Sequence, residues 1–285
     1  MSARSRLRHL GLWLTCTVGL LTGCSQLLFY PEHNLRWTPE RVGLEFEEVG
    51  FSSTDGTPLH GWMLFPQGTE RGTVLFLHGN AQNISTHLAS VYWLPAHGFR
   101  VFLFDYRGFG KSGGSPSLAG AHQDAAAALA LLRARPEVDP SRLIVFGQSI
   151  GAAISVHLVA TDPVGGIRAL VLESPLYGYR DITREKLGDI WLTWPLQWPL
   201  SFLMPDRYSP YRFIKDVSPI PLLIIHGEAD VTIPPTHSER LFAVAGEPKT
   251  YWSVPGVKHI GALAPGTGMQ ERLVTFLDDI LGPPP

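Results

Sequence analysis

Short unbroken apolar runs alternate along this chain with stretches whose apolar positions recur every three or four residues. Thr73–His78 and Val101–Asp105 are continuous apolar runs of strand length, as expected of strands covered on both faces. Leu143–Phe146, Leu170–Leu172, Leu222–Ile225 and Thr250–Val254 read the same way. Ahead of them, Phe46–Ser52 and His60–Phe65 flank Thr54-Asp55-Gly56-Thr57, and Asp-Gly between apolar runs signals a hairpin. Leu118, Ala121, Ala125, Ala128 and Leu131 follow helical spacing within Ser117–Arg135, with Pro136 just beyond, which predicts a helix and its stop. Asn83–Gly98 also reads as a helix ending at glycine, and Gln270–Leu281 as a closing one. Strands that alternate with helices behind a leading hairpin predict an α/β fold: a mostly parallel sheet with helices on both faces. Pro175–Pro219 interrupts that alternation.

Composition narrows the picture. The chain has 285 residues, 45% hydrophobic and 17% charged, which suits one domain with a sizeable core. A formal net charge of −2 without a basic patch argues against a nucleic-acid partner. No cluster or spacing of ligand-type side chains suggests a metal, and no cofactor is expected.

The first residues differ from the rest. Arg4, Arg6 and Arg8 precede an apolar run from Leu10 to Leu21, the plan of a secretory signal and too short to span a bilayer comfortably. The run closes on Leu21-Thr22-Gly23-Cys24, which resembles the bacterial lipobox. That resemblance implies cleavage before Cys24, lipidation of Cys24 and membrane attachment through several acyl chains, which hold where one does not. An ordinary cleaved signal or an uncleaved anchor is the plainer alternative. The expected organisation is a signal over 1–23, an extension over 24–44, and a domain over 45–285 carrying a cap at about 175–219. Cleavage removes Cys16, so Cys24 is left with no partner for an internal disulfide despite an oxidising destination. The resemblance places the protein in the cell envelope facing the periplasm or exterior, and in a Gram-negative host Ser25 favours the outer membrane. A monomer is expected.

The candidate chemistry centres on Gly147-Gln148-Ser149-Ile150-Gly151, where an apolar strand leads in and a small-residue helix leads out. This is the pattern of a nucleophile elbow, a turn tight enough to need glycine on both sides of the serine. The five-residue pattern alone decides nothing, because Gly110-Lys111-Ser112-Gly113-Gly114 matches it too. There, Ser115-Pro116-Ser117 follows and no helix opens. Gly108–Gly113 also imitates a dinucleotide fingerprint, but without a helix N-terminus to hold a pyrophosphate. Asp105-Tyr106-Arg107-Gly108 reads instead as a turn after a strand, with Asp105 and Arg107 in local hydrogen bonds.

Serine needs a base to take its proton and an acid to orient that base. Asp230 follows the Leu222–Ile225 strand and His259 follows Thr250–Val254, both just past strand ends, where parallel-sheet sites gather. Glu173 and, less so, Glu228 compete with Asp230 for the acid. His78 reads as a brace for its own loop and His226 as a buried, hydrogen-bonded residue. The oxyanion needs two N–H donors, assigned to Ile150 after the serine and to Asn80 in the turn after the third strand, with Ala81 a near alternative.

Leu75–Asn80, Asp105–Ser112, Gly147–Gly151, His226–Asp230 and Val257–His259 occur in this order, and together they resemble the α/β-hydrolase family over about residues 45–281. The nearest subgroup in pattern holds small hydrolases with His-Gly-Asn-Ala and Asp-Tyr-Arg-Gly, among them protein depalmitoylases and esterases. The resemblance implies an eight-stranded sheet, a triad of Ser149, Asp230 and His259, and cleavage of ester or thioester bonds in small or lipid-like acyl substrates. A peptidase or amidase of the same fold, and a non-catalytic membrane-anchored scaffold, are the alternatives. Trp191, Trp194 and Trp198 crowd the cap segment with Leu200, Phe202, Leu203 and Met204, while Pro195, Pro199 and Pro205 break any plain transmembrane helix. Those aromatics either pack on the body of the domain, or form an apolar acyl pocket or lipid-facing surface.

Overall fold

The computed structural model describes residues 28–283. Its central sheet has eight strands: β1 (Phe46–Ser52), β2 (Pro58–Leu64), β3 (Gly72–Leu77), β4 (Phe99–Asp105), β5 (Leu143–Gln148), β6 (Ile167–Glu173), β7 (Leu222–Gly227) and β8 (Lys249–Val254). They lie in the order β1-β2-β4-β3-β5-β6-β7-β8. β2 runs antiparallel to both neighbours, and every other pairing is parallel. The hairpin is closed by Ser53 N–H donating to the Thr57 carbonyl at 2.8 Å, with Gly56 at φ +83°.

Each inner strand divides its side chains between two cores, as period-two geometry requires. Leu75, Leu77, Phe102, Phe104 and Val145 enter one core with helices α1 (Leu118–Ala134) and α2 (Ile150–Ala160). Val74, Phe76, Val101, Leu103, Ile144 and Phe146 enter the other, beneath the 84–97 segment and helix α5 (Met269–Leu281). Both faces are therefore covered, which is why these strands read as unbroken apolar runs. Helices α3 (Tyr179–Gly188) and α4 (Pro235–Val244) follow β6 and β7.

Two expectations need correction. Residues 83–98 are not one helix. A single α-turn, Ile84–His87, is capped by Asn83, whose side chain accepts the Ser85 N–H at 3.0 Å. Two 3₁₀ turns, Leu88–Ser90 and Leu94–His97, follow it. Pro95 explains the break, since it has no N–H and its ring would meet the carbonyl four residues earlier. The turn after β4 forms as expected, with the Lys111 N–H donating to the Asp105 carboxyl within it, but its polar residues also bond well beyond the turn. Arg107 reaches Asp124 on α1 at 2.7 Å and Asp55 in the hairpin at 2.8 Å, and Asp105 accepts the Ile84 N–H at 2.9 Å.

The chain ahead of β1 is stitched to the loop after β3. Tyr30–Pro31 pairs in parallel with Ala81–Gln82, the Tyr30 N–H donates to the Asn80 carbonyl at 2.8 Å, and the Asn80 amide donates to the Leu28 carbonyl at 3.1 Å. The cap segment leaves the end of β6 and carries α3, a 3₁₀ turn at Trp194–Leu196 and a short helix at Gln197–Ser201. No helix among the described residues is long and apolar enough to cross a membrane. Cys24 and the leader lie outside the described residues.

Candidate active site

β3 lies between β4 and β5, so the chain leaves β3 in one direction and later returns on its other side. The C-terminal ends of β3 and β5 therefore flank the switch point, where such sheets open a crevice. Ser149 ends β5 and begins α2. Its backbone sits at φ 56°, ψ −119°, a left-handed conformation that costs on the order of 1–3 kcal/mol for a residue with a Cβ. The surroundings hold it there: the Ser149 N–H donates to the Glu173 carbonyl at 2.9 Å. Both flanking glycines are required by close approach. A Cβ on Gly151 would collide with the Leu77 carbonyl, and one on Gly147 with the Ser155 hydroxyl.

His259 Nε2 lies 3.1 Å from Ser149 Oγ, and its Nδ1 lies 2.7 Å from Asp230 Oδ2. The carboxylate only accepts, so Nδ1 carries the proton and Nε2 is left to accept from the serine hydroxyl. Asp230 is buried, and burial opposes its charge. Hydrogen bonds from His226, His259 and the Ile233 N–H outweigh burial and hold it well below the usual carboxylate range. The Thr232 and Ile233 N–H groups both reach Oδ1 at 2.9 Å.

The competing acids are placed elsewhere. Glu228 is exposed and accepts from the Ser253 hydroxyl at 2.8 Å. Glu173 is fully buried, and burial pushes its carboxyl up, against the hydrogen bonds from Gln148 and Ala262 N–H. It ties Gln148, next to the serine, to Ala262, three residues beyond His259, at 2.8 Å. Sequence reasoning missed that brace; its only signal was a carboxylate ending an apolar strand.

His78 and His226 occupy the places read for them. His78 Nδ1–H donates to the Gly79 carbonyl at 2.7 Å. His226 takes a hydrogen bond from Ser238, and its Nε2–H faces the Ile233 carbonyl at 2.9 Å and Asp230 Oδ2 at 3.3 Å. His87 went unread: it stacks on His78 with ring centroids 5.0 Å apart and donates to the Ala81 carbonyl at 3.0 Å. A Cβ on Gly79 would lie 3.8 Å from the Ser149 Cβ, so the 78–81 loop runs directly beside the serine. The N–H groups of Asn80 and Ile150 have no partner among the described residues. Ser112, in the second Gly-x-Ser-x-Gly, is buried, donates to the Asp105 carbonyl at 2.6 Å and accepts the His60 N–H at 2.9 Å. No group of residues among those described has a metal-binding arrangement.

A serine raised on a strand–turn–helix over the switch point of this sheet is the arrangement of an α/β-hydrolase. Residues 68–216 match the serine aminopeptidase, S33, family, and the chain belongs to it. It is 40% identical to YfhR of Escherichia coli over 243 residues, covering 83% of this chain and 82% of YfhR. An esterase of Pyrococcus furiosus shares the fold with a TM-score of 0.71 at 23% identity, over 90% of this chain and 98% of that one. So does a puromycin-hydrolysing peptidase of Mycobacterium tuberculosis, with a TM-score of 0.62 at 20% identity, over 84% of this chain and 40% of that one.

Proposed function

We propose that the protein cleaves carboxylic esters or thioesters through an acyl-enzyme on Ser149. The observation that carries this reading is the hydrogen-bonded chain from Ser149 Oγ through His259 to Asp230, at 3.1 and 2.7 Å. The hydroxyl attacks the acyl carbonyl while His259 Nε2 takes its proton, and Asp230 stabilises the imidazolium. The oxyanion takes the N–H groups of Asn80 and Ile150, the second of these at a helix N-terminus. His259 then protonates the departing alcohol or thiol. Water, deprotonated by the same nitrogen, releases the acid and restores the serine.

A peptidase reading draws on the family's name and on the peptidase that shares the fold. An aminopeptidase needs a carboxylate free to receive the substrate's amino group. Two buried carboxylates beside the serine, Asp230 and Glu173, are already bonded to His259 and to Gln148 and Ala262. That supports the ester or thioester reading. Turnover of p-nitrophenyl esters, acyl thioesters and aminoacyl p-nitroanilides separates the readings. We expect esters or thioesters to lead, with kcat/KM rising with acyl length. Anilide cleavage that leads the panel would reject the ester reading, a flat or falling length profile would reject the apolar preference, and no turnover at all would leave the scaffold. The protein works as a monomer tethered through lipidated Cys24 to the outer membrane of a Gram-negative host or its equivalent elsewhere. Cys24→Ser is expected to lose metabolic lipid labelling and to release the protein from membranes; unchanged labelling would contradict the tether.

A further inference from the structure

Helix α3 of the cap packs on the body of the domain through buried Tyr179 and Ile182. Asp181 and Glu185 of α3 point at the body of the domain, where Arg240 meets Asp181 at 3.1 Å and buried His237 meets Glu185 at 2.8 Å. Most of the apolar residues that follow α3 are left exposed instead. Ile190, Trp191, Leu192, Trp194, Trp198 and Phe202 are all at least half exposed, Trp191 by 84% and Leu192 by 66%. The fifteen residues 190–204 contain no charged side chain, although charge makes up 17% of the chain. These residues form a run of exposed apolar side chains with no charge among them, and exposed apolar patches mark contact sites. The body of the domain does not cover it, so packing onto the domain is not the outcome for these aromatics.

The run is held firmly. Thr193 donates to the Leu187 carbonyl at 2.6 Å, and Arg180 donates to the Met204 carbonyl at 3.2 Å. Two arginines of α3 flank it: the Arg184 guanidinium, which also meets Asp181 at 3.4 Å, lies 4.5 Å from the Trp198 ring centre, and that of Arg180 lies 5.3 Å from the Phe202 ring. Tryptophans with arginines at their shoulders match the boundary between headgroups and acyl chains, where rings sit in the apolar edge and cations meet phosphates. Pro195 and Pro199, and the lack among the described residues of a helix long and apolar enough to cross a membrane, fit a segment that lies in the interface.

The exit of the chain gives the direction. The described chain begins at Leu28, bonded to Asn80 at the C-terminal end of β3. The cap leaves the C-terminal end of β6, which is parallel to β3 through β5. Leu28, four residues after Cys24, and the root of the cap therefore lie at the same end of the sheet as Ser149. We propose that residues 190–204 dock on a phospholipid bilayer and hold the mouth of the Ser149 site against it, so that substrates are drawn from the membrane. The docking itself does not depend on the chemistry at Ser149, whereas the source of the substrate rests on the hydrolase reading.

The test uses the full chain in vesicles of phosphatidylethanolamine and phosphatidylglycerol, with and without brominated acyl chains, which quench tryptophan on contact. The wild type is expected to lose several-fold more of its fluorescence to bromolipid than Trp191→Phe/Trp194→Phe/Trp198→Phe, since both keep the leader and differ only at the cap. Ser149→Ala should be quenched like the wild type. A second variant, Leu192→Glu/Trp194→Glu, should keep its rate on soluble p-nitrophenyl acetate and lose about tenfold on a long-chain ester embedded in vesicles. Equal quenching of wild type and triple variant would overturn the docking, as would tryptophans shielded from bromolipid by a second copy or by residues 10–21. No turnover of either ester alongside cap-dependent quenching would overturn the hydrolase reading and leave the docking standing.

Discussion

Asn in place of Asp230 preserves volume but offers His259 Nδ1 an amide that can also donate, so the tautomer that leaves Nε2 free to accept is no longer enforced. By analogy with the corresponding change in a serine protease, kcat is expected to fall about 10⁴-fold, read on p-nitrophenyl butyrate with the thermal midpoint as a folding control. A loss below tenfold would mean that Asp230 does not orient the base. Gly151→Ala tests the elbow itself: its methyl would drive into the Leu77 carbonyl, and overpacking of this kind costs about 1–3 kcal/mol. A denaturant midpoint unchanged from the wild type would contradict the close approach. At this scale the sequence exposed Ser149, Asp230 and His259 because each sits within a few residues of a strand end, and strand ends can be read from apolar runs. Glu173 could not be read as a brace, because its partner Ala262 is 89 residues away and nothing local marks the pairing. His87 was hidden differently: its partners Ala81 and His78 are near in sequence, but the apolar pattern over 83–98 predicts a plain helix that would not present its ring to them.

The elements were legible where one period dominated. β3, β4 and β5 are covered on both faces and read as apolar runs, and α1 starts at Leu118 with Ser117 capping the Gly120 N–H at 3.1 Å. Residues 83–98 misled because an apolar pattern cannot show that Pro95 leaves its turn without a donor. The cap misled differently: apolar side chains are expected to seek the core, and Tyr179 and Ile182 of α3 do so, while Trp191, Trp194 and Trp198 just beyond it stay exposed. The link between the β4 turn, α1 and the hairpin also escaped, since Arg107 joins three elements through side chains. That link predicts a large effect. Asp124→Ala leaves the Arg107 guanidinium, nine-tenths buried, without its fully buried partner, and breaking such a pair from one side costs about 3–5 kcal/mol. Urea unfolding should show it, and a change under about 1 kcal/mol would place the pair with ordinary surface ion pairs.

Over the whole molecule, two buried groups beside the site pull stability in opposite directions with pH. Burial raises the Asp105 carboxyl to about 7. The fold therefore favours its protonated form, and the stability it contributes is lost as pH rises from about 4 towards 7. Burial lowers His87 to about 4, so the fold favours its neutral form and loses stability as pH falls from about 6.5 to 4. Asp105→Asn removes the first contribution alone. Its stability should climb with pH between 4 and 6.5 more steeply than that of the wild type, by about 1 kcal/mol per pH unit. Parallel curves would mean that Asp105 ionises normally. Each of these effects is secondary to whether Ser149 is a nucleophile. A fluorophosphonate probe answers that most directly, since it phosphonylates only an activated serine. Rapid labelling of the wild type is expected, with none of Ser149→Ala and labelling slowed by at least about 10³-fold in His259→Ala. Labelling that persists in Ser149→Ala, or that is absent from the folded wild type, would contradict a nucleophilic role for Ser149.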